Sequence, residues 1–392
     1  MALTLAACGG GGTGGGGTIE EMEPVTLRIN EEVPAASGAG EALQSYLDRI
    51  TAATDGKVTF ETFFANSLLT EAYPGLSDGV ADMAQVTVSR YESELPISAF
   101  TTSFSGSAPP QYPLTLLTMR PASNEFWQTN DTLIGEHEEA NSRTVYAGAS
   151  GHAPLLCSEP ITNIDDAKGA RVRIEGAYSA AQVRALGMEP VDLPPSEIFE
   201  ALQRGTITCA MAGEGGENFM SLGLTEVAKH FVPVNLAPTT GFGMRMNLDR
   251  WNELPEEARQ IFLDEWAEYE IDRNRARLEG FKAFAEQSEE LGIEWNDATS
   301  LNEVLDSFED EWLDGAVSGA PAGVDDAQAM ADDFNAVIGD WAAKVAPIID
   351  AETDDEQDLD DLREAYLQGA DLVDWDAYRE LLLGSAQGLG VD

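Results

Sequence analysis

Positive charge is scarce in this sequence. Only 22 of its 392 residues are Lys or Arg, against 70 Asp and Glu, for a formal net charge of −48. Such a surface repels phosphate backbones and anionic lipid, so nucleic acid and anionic membrane surfaces are excluded as partners of the folded part. Proteins adapted to high salt share this composition, and so do acidic secreted proteins of moderate habitats. Histidine is also short: His137, His152 and His230 are the only three. No H-E-x-x-H and no C-x-x-C occurs, which removes the usual zinc and metalloprotease patterns, and no cofactor is implied. No run of 18 apolar residues exists to span a bilayer. Apolar residues still make up 43% of the chain, ample for a real core, and the length suits two domains.

Several motifs fail when their context is read. Gly75-Leu76-Ser77-Asp78-Gly79 matches a nucleophile elbow, but Thr70-Glu71-Ala72-Tyr73-Pro74 is no hydrophobic strand, and Leu76 and Val80 fit a helix face. Gly38-Ala39-Gly40 opens a helix like a dinucleotide fingerprint, but the third glycine is missing and the preceding turn is long. The acidic run 350–361 lacks the Gly and Glu that a calcium loop requires.

The first residues read Leu3-Thr4-Leu5-Ala6-Ala7-Cys8, followed by a tract that is nearly all glycine. No Lys or Arg precedes Arg28, so a phosphate loop is excluded. Leu5-Ala6-Ala7-Cys8 resembles a bacterial lipobox, in which the Cys carries lipid, behind the tail of a signal peptide. Residues 1–23 are then signal remnant, lipobox and leash. A Gly-rich leash of this length reaches roughly 20 Å. The other cysteines, Cys157 and Cys209, are compatible with a disulfide in an oxidising compartment or with two buried thiols.

Strand and helix patterns then alternate. Val25–Ile29, Lys57–Phe64 and Asp82–Val88 read as strands, and Leu43, Tyr46, Leu47 and Ile50 make one helix face. The rhythm returns at 144–149, 170–174, 190–193, 207–212 and 231–235. Such βα repeats argue for parallel sheets covered by helices. Residues 256–291 run without Pro, which predicts one helix roughly 50 Å long. Residues 352–392 read as an acidic helical extension.

Arg173 closes the strand in Lys168-Gly169-Ala170-Arg171-Val172-Arg173-Ile174. Ligands of open α/β sheets bind outside the carboxyl ends of strands, and a guanidinium there fits a carboxylate. A structural ion pair is the alternative.

This stretch, with Gly187-Met188-Glu189-Pro190-Val191 and Ser196-Glu197-Ile198-Phe199-Glu200-Ala201-Leu202, resembles the substrate-binding proteins of TRAP transporters (tripartite ATP-independent periplasmic transporters). Asn66-Ser67-Leu68-Leu69, Leu76-Ser77-Asp78-Gly79-Val80-Ala81-Asp82-Met83 and Trp251-Asn252-Glu253-Leu254-Pro255 keep the family's order over about residues 24–345. The resemblance implies a two-domain α/β fold of the periplasmic-binding-protein kind, type II-like, with hinge strands and a long helix bracing both domains. Domain I is expected at 24–148 with a hinge strand at 240–250, domain II at 149–239, helices at 251–345, and the extension at 346–392. It implies a small organic acid held by Arg173, with Glu32, Asn66, Thr87, Gly176 and Phe242 lining the cleft, and delivery to TRAP membrane subunits outside the cytoplasm. The protein would not be an enzyme. A binding protein of an ATP-driven importer, or an extracytoplasmic α/β enzyme, are the alternatives. The chain also departs from the family. A second Arg is absent at Gly151-His152-Ala153-Pro154, where His152 is the candidate substitute. Thr208-Cys209-Ala210-Met211-Ala212-Gly213 stands where the family has an Asp-Gly-Gln-Glu-Asn-Pro segment, and a glycine-rich insertion, 214–218, follows it.

Overall fold

A computed structural model describes residues 17–174, 176–211, 216–351 and 357–386. Cys8 lies outside the described residues. Among the described residues eleven strands form two sheets. They are β1 (Val25–Asn30), β2 (Val58–Phe63), β3 (Met83–Thr87), β4 (Ser142–Ala149), β5 (Ala153–Cys157), β6 (Arg171–Ile174), β7 (Glu189–Asp192), β8 (Cys209–Met211), β9 (His230–Leu236), β10 (Thr240–Asn247) and β11 (Glu294–Trp295). The first sheet has the order β2-β1-β3-β10-β4, and the second β11-β9-β5-β8-β6-β7. This is the mixed α/β, two-sheet architecture that the resemblance implies.

Local chemistry explains the elements. The helix Gly38–Ala53 starts at Ser37, whose Oγ accepts from the Gly40 N–H, and it buries Leu43, Tyr46, Leu47 and Ile50. A Cβ on Gly40 would sit 2.4 Å from the Pro34 carbonyl oxygen, so this glycine serves close packing of backbone, not a nucleotide. Ser77 ends a short helix, and its Oγ donates to the Ala140 carbonyl. That hydroxyl is a structural hydrogen bond.

The first sheet packs its apolar residues with Trp127, Trp251, Trp266 and Trp341 in one core. The second sheet has a cluster on each face, one around Val183, Leu301 and Leu305, the other around Phe219, Phe231 and Phe284. Cys157 and Cys209 face each other across the antiparallel β5–β8 pair and are bridged by a disulfide.

The expected single long helix is two, Glu256–Asp264 and Trp266–Leu291. At the joint the Tyr46 hydroxyl donates to the Phe262 carbonyl, and Arg49 pairs with both Glu265 and Asp272. Side chains of another helix thus hold the joint. The second helix has 26 residues, about 39 Å long. Its Ile271 and Leu278 belong to the first core and its Phe281 and Phe284 to a cluster of the second sheet, so it braces both sheets. No helix among the described residues is long and apolar enough to cross a membrane.

Candidate functional site

The topology brings two strand edges together. β1, β2 and β3 run parallel, so their carboxyl ends share one edge of the first sheet. β10 runs antiparallel to β3, and its start lies at that same edge, with Phe242 opposite Thr87. In the second sheet β6 runs parallel to both β7 and β8. β9 also runs parallel to β8, because β5 is antiparallel to each. Only Ala237, Pro238 and Thr239 separate the end of β9 from the start of β10. The carboxyl edges of the two sheets therefore face each other across a short crossing. A second crossing, 150–152, runs beside it. Ser150 N–H donates to the Thr239 carbonyl and Thr239 N–H to Ser150 Oγ, both at 2.9 Å. Facing carboxyl edges are where α/β proteins bind small ligands.

On the second sheet Arg173 is 3% exposed. Its Nε donates to the Leu193 carbonyl and its Nη1 to the Met211 carbonyl, each at 3.0 Å. The guanidinium is thus fixed in orientation at the carboxyl ends of β6, β7 and β8. Three residues on, the helix Gly176–Ala185 begins, and its amino end adds a positive partial charge to the same edge. Gly176 has φ +80°, which favours glycine, and a Cβ there would lie 3.8 Å from Ser89 of the opposite domain. Between them is a cavity of about 320 Å³, lined by Ser89, Phe100, Gly176, Tyr178, Ser179 and Thr239 among others; of the expected cleft residues Gly176 lines it, whereas Arg173, Glu32, Asn66, Thr87 and Phe242 do not. Its size suits a small organic molecule.

On the first sheet, Glu32 and Arg90 form an ion pair of 3.0 Å next to Ser89. Asn66 lies in the loop after β2, where both Ala65 and Asn66 have positive φ, +54° and +53°. Their N–H groups donate to Val33 and Glu31 carbonyls, and the Asn66 Oδ1 accepts from Asn30 Nδ2 at 2.8 Å. Backbone held in that region is strained, and such strain concentrates at ligand sites. Thr87 and Phe242 are half-buried partners on β3 and β10, and the Arg120 guanidinium lies 5.8 Å from the Phe242 ring centre.

Sequence reasoning passed over Glu31. It is 5% exposed, and burial raises its carboxyl to about 7; neighbouring Glu32 adds to the rise, while two backbone N–H groups and Arg273 oppose it. Arg90, Arg273 and Ser89 were also missed. The one available signal was that β1, β3 and their following residues carry rare cations beside acids.

His152 stands apart from the cavity. It lies in a second groove, with one ring nitrogen 3.2 Å from the Leu236 carbonyl and the other 3.2 Å from the Pro109 carbonyl. Burial lowers its pKa to about 4 although both carbonyls favour the charged ring, so near neutral pH it is uncharged and its single N–H donates to only one of the two. It does not replace a cation in the cleft. Segment 214–218 falls partly outside the described residues; its end begins the helix Gly216–Ser221. Among the described residues no group of His, Cys, Asp and Glu could hold a metal ion.

Residues 29–304 match the family of bacterial extracellular solute-binding proteins, family 7. The chain belongs to this family. A monocarboxylate 2-oxoacid-binding periplasmic protein of Nostoc is 26% identical over 246 residues, which are 61% of this chain and 64% of that relative. The match thus spans less than two thirds of the curated relative's length. A TRAP solute-binding protein from a marine metagenome, in complex with pyroglutamate, superposes with a TM-score of 0.65 at 18% identity, covering 80% of this chain and all of the other. An extracytoplasmic solute receptor of Bordetella pertussis that binds pyroglutamic acid gives 0.64 at 20% identity, covering 79% of this chain and 99% of the other. At these identities the structures establish the shared fold. By name the relatives are solute-binding proteins or solute receptors, and this family 7 chain has its cavity where the sheet edges meet.

Proposed function

We propose that this protein is the receptor of a TRAP-type transporter, binding a small organic acid between its domains and passing it to the membrane subunits. The observation that carries this reading is Arg173, buried at the facing carboxyl edges and held in one orientation by two backbone carbonyls. A carboxylate meeting a guanidinium and a helix amino end there gains charge-assisted hydrogen bonds. The hydroxyls and rings of the cavity, with Gly176, then select the body of the ligand, and Glu32, Asn66, Thr87 and Phe242 are offered by the facing edge of the first sheet. Closure of the domains excludes water from these contacts. The chain performs no chemistry on its ligand. Cys8 carries a lipid that keeps the receptor on the outer face of the cell membrane, near its permease.

A thermal-shift panel on residues 20–392 in high salt tests this. The panel holds 2-oxo acids, pyroglutamate, dicarboxylates and sugar acids, with neutral sugars as controls. A ligand at about 100 times its Kd adds roughly 2.7 kcal/mol of stability. Shifts confined to acids support the reading; shifts confined to neutral sugars contradict it.

A further inference from the structure

About a fifth of this chain has no counterpart in the marine metagenome receptor, although all of that receptor is matched. Residues 357–386 lie beyond the family match, and their contacts are specific. The Gln357 side chain makes two hydrogen bonds to the backbone of Tyr112 in domain I, accepting from its N–H at 3.0 Å and donating to its carbonyl at 2.9 Å. The Tyr366 ring, 4% exposed, packs 4.5 Å from Tyr112 and 4.6 Å from Phe281 of the bracing helix. It also reaches Trp295 and Phe231 of the second sheet, at 5.6 and 6.2 Å. Arg363 lies 5.8 Å from the Trp295 ring centre. Further on, the Tyr378 hydroxyl donates to the Leu117 carbonyl at 3.0 Å, Arg379 grips Glu268, and Ser385 donates to Glu125. One segment therefore joins domain I, the bracing helix and domain II.

The ties made by Gln357 and Tyr366 are placed on one side of the hinge. Gln357, Leu362 and Tyr366 line the groove that also contains Tyr112, His152 and Asn235. The interdomain cavity takes Ala237, Pro238 and Thr239 from the same crossing and shares no lining residue with that groove. Two domains that rotate about a crossing close one side only by widening the other.

We propose that residues 357–386 are a strap that holds the groove side together, resists closure on the cavity side, and so sets ligand affinity; Gln357 and Tyr366 are its positioning residues. This rests on the receptor reading, in which ligand binding requires closure. When only a fraction of the protein is competent to close, the apparent Kd rises by that fraction's inverse. Loosening the strap enlarges the fraction. The fold becomes less stable while the ligand binds more tightly, a combination that lost packing alone does not produce.

The test uses the chain from residue 20 and its variants Gln357→Ala, Tyr366→Ala and Tyr366→Phe, with pyroglutamate and pyruvate as probes. Calorimetry gives Kd, and small-angle scattering gives the radius of gyration without ligand. The two alanine variants are expected to melt earlier, scatter as more compact particles and bind at least threefold more tightly. Tyr366→Phe keeps the ring stack and is expected to match wild type. Equal or weaker binding by folded alanine variants overturns the strap. If neither probe binds wild type, those probes do not support the receptor reading. Scattering then decides the strap alone: compaction of the alanine variants supports it, and an unchanged radius overturns it.

Discussion

Acidic residues outnumber basic ones by 70 to 22 over the whole chain. Inside the molecule the balance reverses. Among the described residues Arg120, Arg143, Arg173, Arg245, Arg273 and Arg277 are buried, against Glu31, Asp82 and Glu270. Surface charge here governs solubility and response to salt, and single surface pairs matter little. Interior charges such as Arg120, Arg173 and Asp82 are instead held by specific partners. The bracing helix and the first sheet meet at such groups: Arg277 of the bracing helix and Arg120 both donate to the Ala149 carbonyl, at the end of β4.

The contrast can be broken first at Arg120. It pairs with Glu270 at 2.5 Å, with the two side chains 1% and 0% exposed. Arg120→Ala leaves a buried carboxylate uncompensated, and a loss of about 3–5 kcal/mol is expected in urea unfolding at fixed salt. A loss as small as that of a surface pair would erase the distinction.

Glu31 gives the next effect. Its folded pKa, about 7, lies above the ordinary value of 4.5 for this carboxyl. The protonated form is therefore the one the fold favours. The stability associated with it is full below pH 4.5 and is lost as pH rises to 7. Glu31→Gln removes that loss, so at pH 8 the variant is expected to be more stable by up to about 3 kcal/mol. The difference between variant and wild type should vanish below pH 4.5. Unfolding free energies across pH 4–8 check both the size and the sign.

Arg245 sharpens the comparison from the other side. It is fully buried, burial lowers its pKa to about 10, and its Nε and Nη2 have no hydrogen-bond partner. Its guanidinium lies 5.3 Å from the Trp127 ring centre. Replacing such a cation by an apolar chain of similar length removes a desolvation cost. Arg245→Met is expected to raise the melting temperature slightly. The smallest effect belongs to the surface: Arg204 and Glu200 pair at 72% and 64% exposure, and Arg204→Ala should leave the melting temperature unchanged.

Much of the fold was legible because its periodic elements are only half covered. The strand Val25–Asn30, the helix Gly38–Ala53 and the strand Val58–Phe63 each show their period. The helix Leu114–Thr129 did not, because nearly every residue in it is buried and Pro121 lies inside it, so no polar face marks its turns. The joint at Glu265 was invisible because Tyr46 and Arg49, over two hundred residues away, hold it. The place of Arg173, near the carboxyl end of a strand, was legible, and its burial was not. Glu31 was not legible, since its neighbour Glu32 has the same side chain and only burial separates them. The purpose of the extension was closed to sequence reading, because its partners, Tyr112 and Phe231, come from distant parts of the chain.

The most direct measurement is a calorimetric titration of the best acid from the panel into wild type and into Arg173→Ala, both in high salt and both shown folded by circular dichroism. Binding in the wild type and its loss in the variant is the expected result. A variant that binds the acid with wild-type affinity would contradict the assignment of Arg173 as the carboxylate's partner.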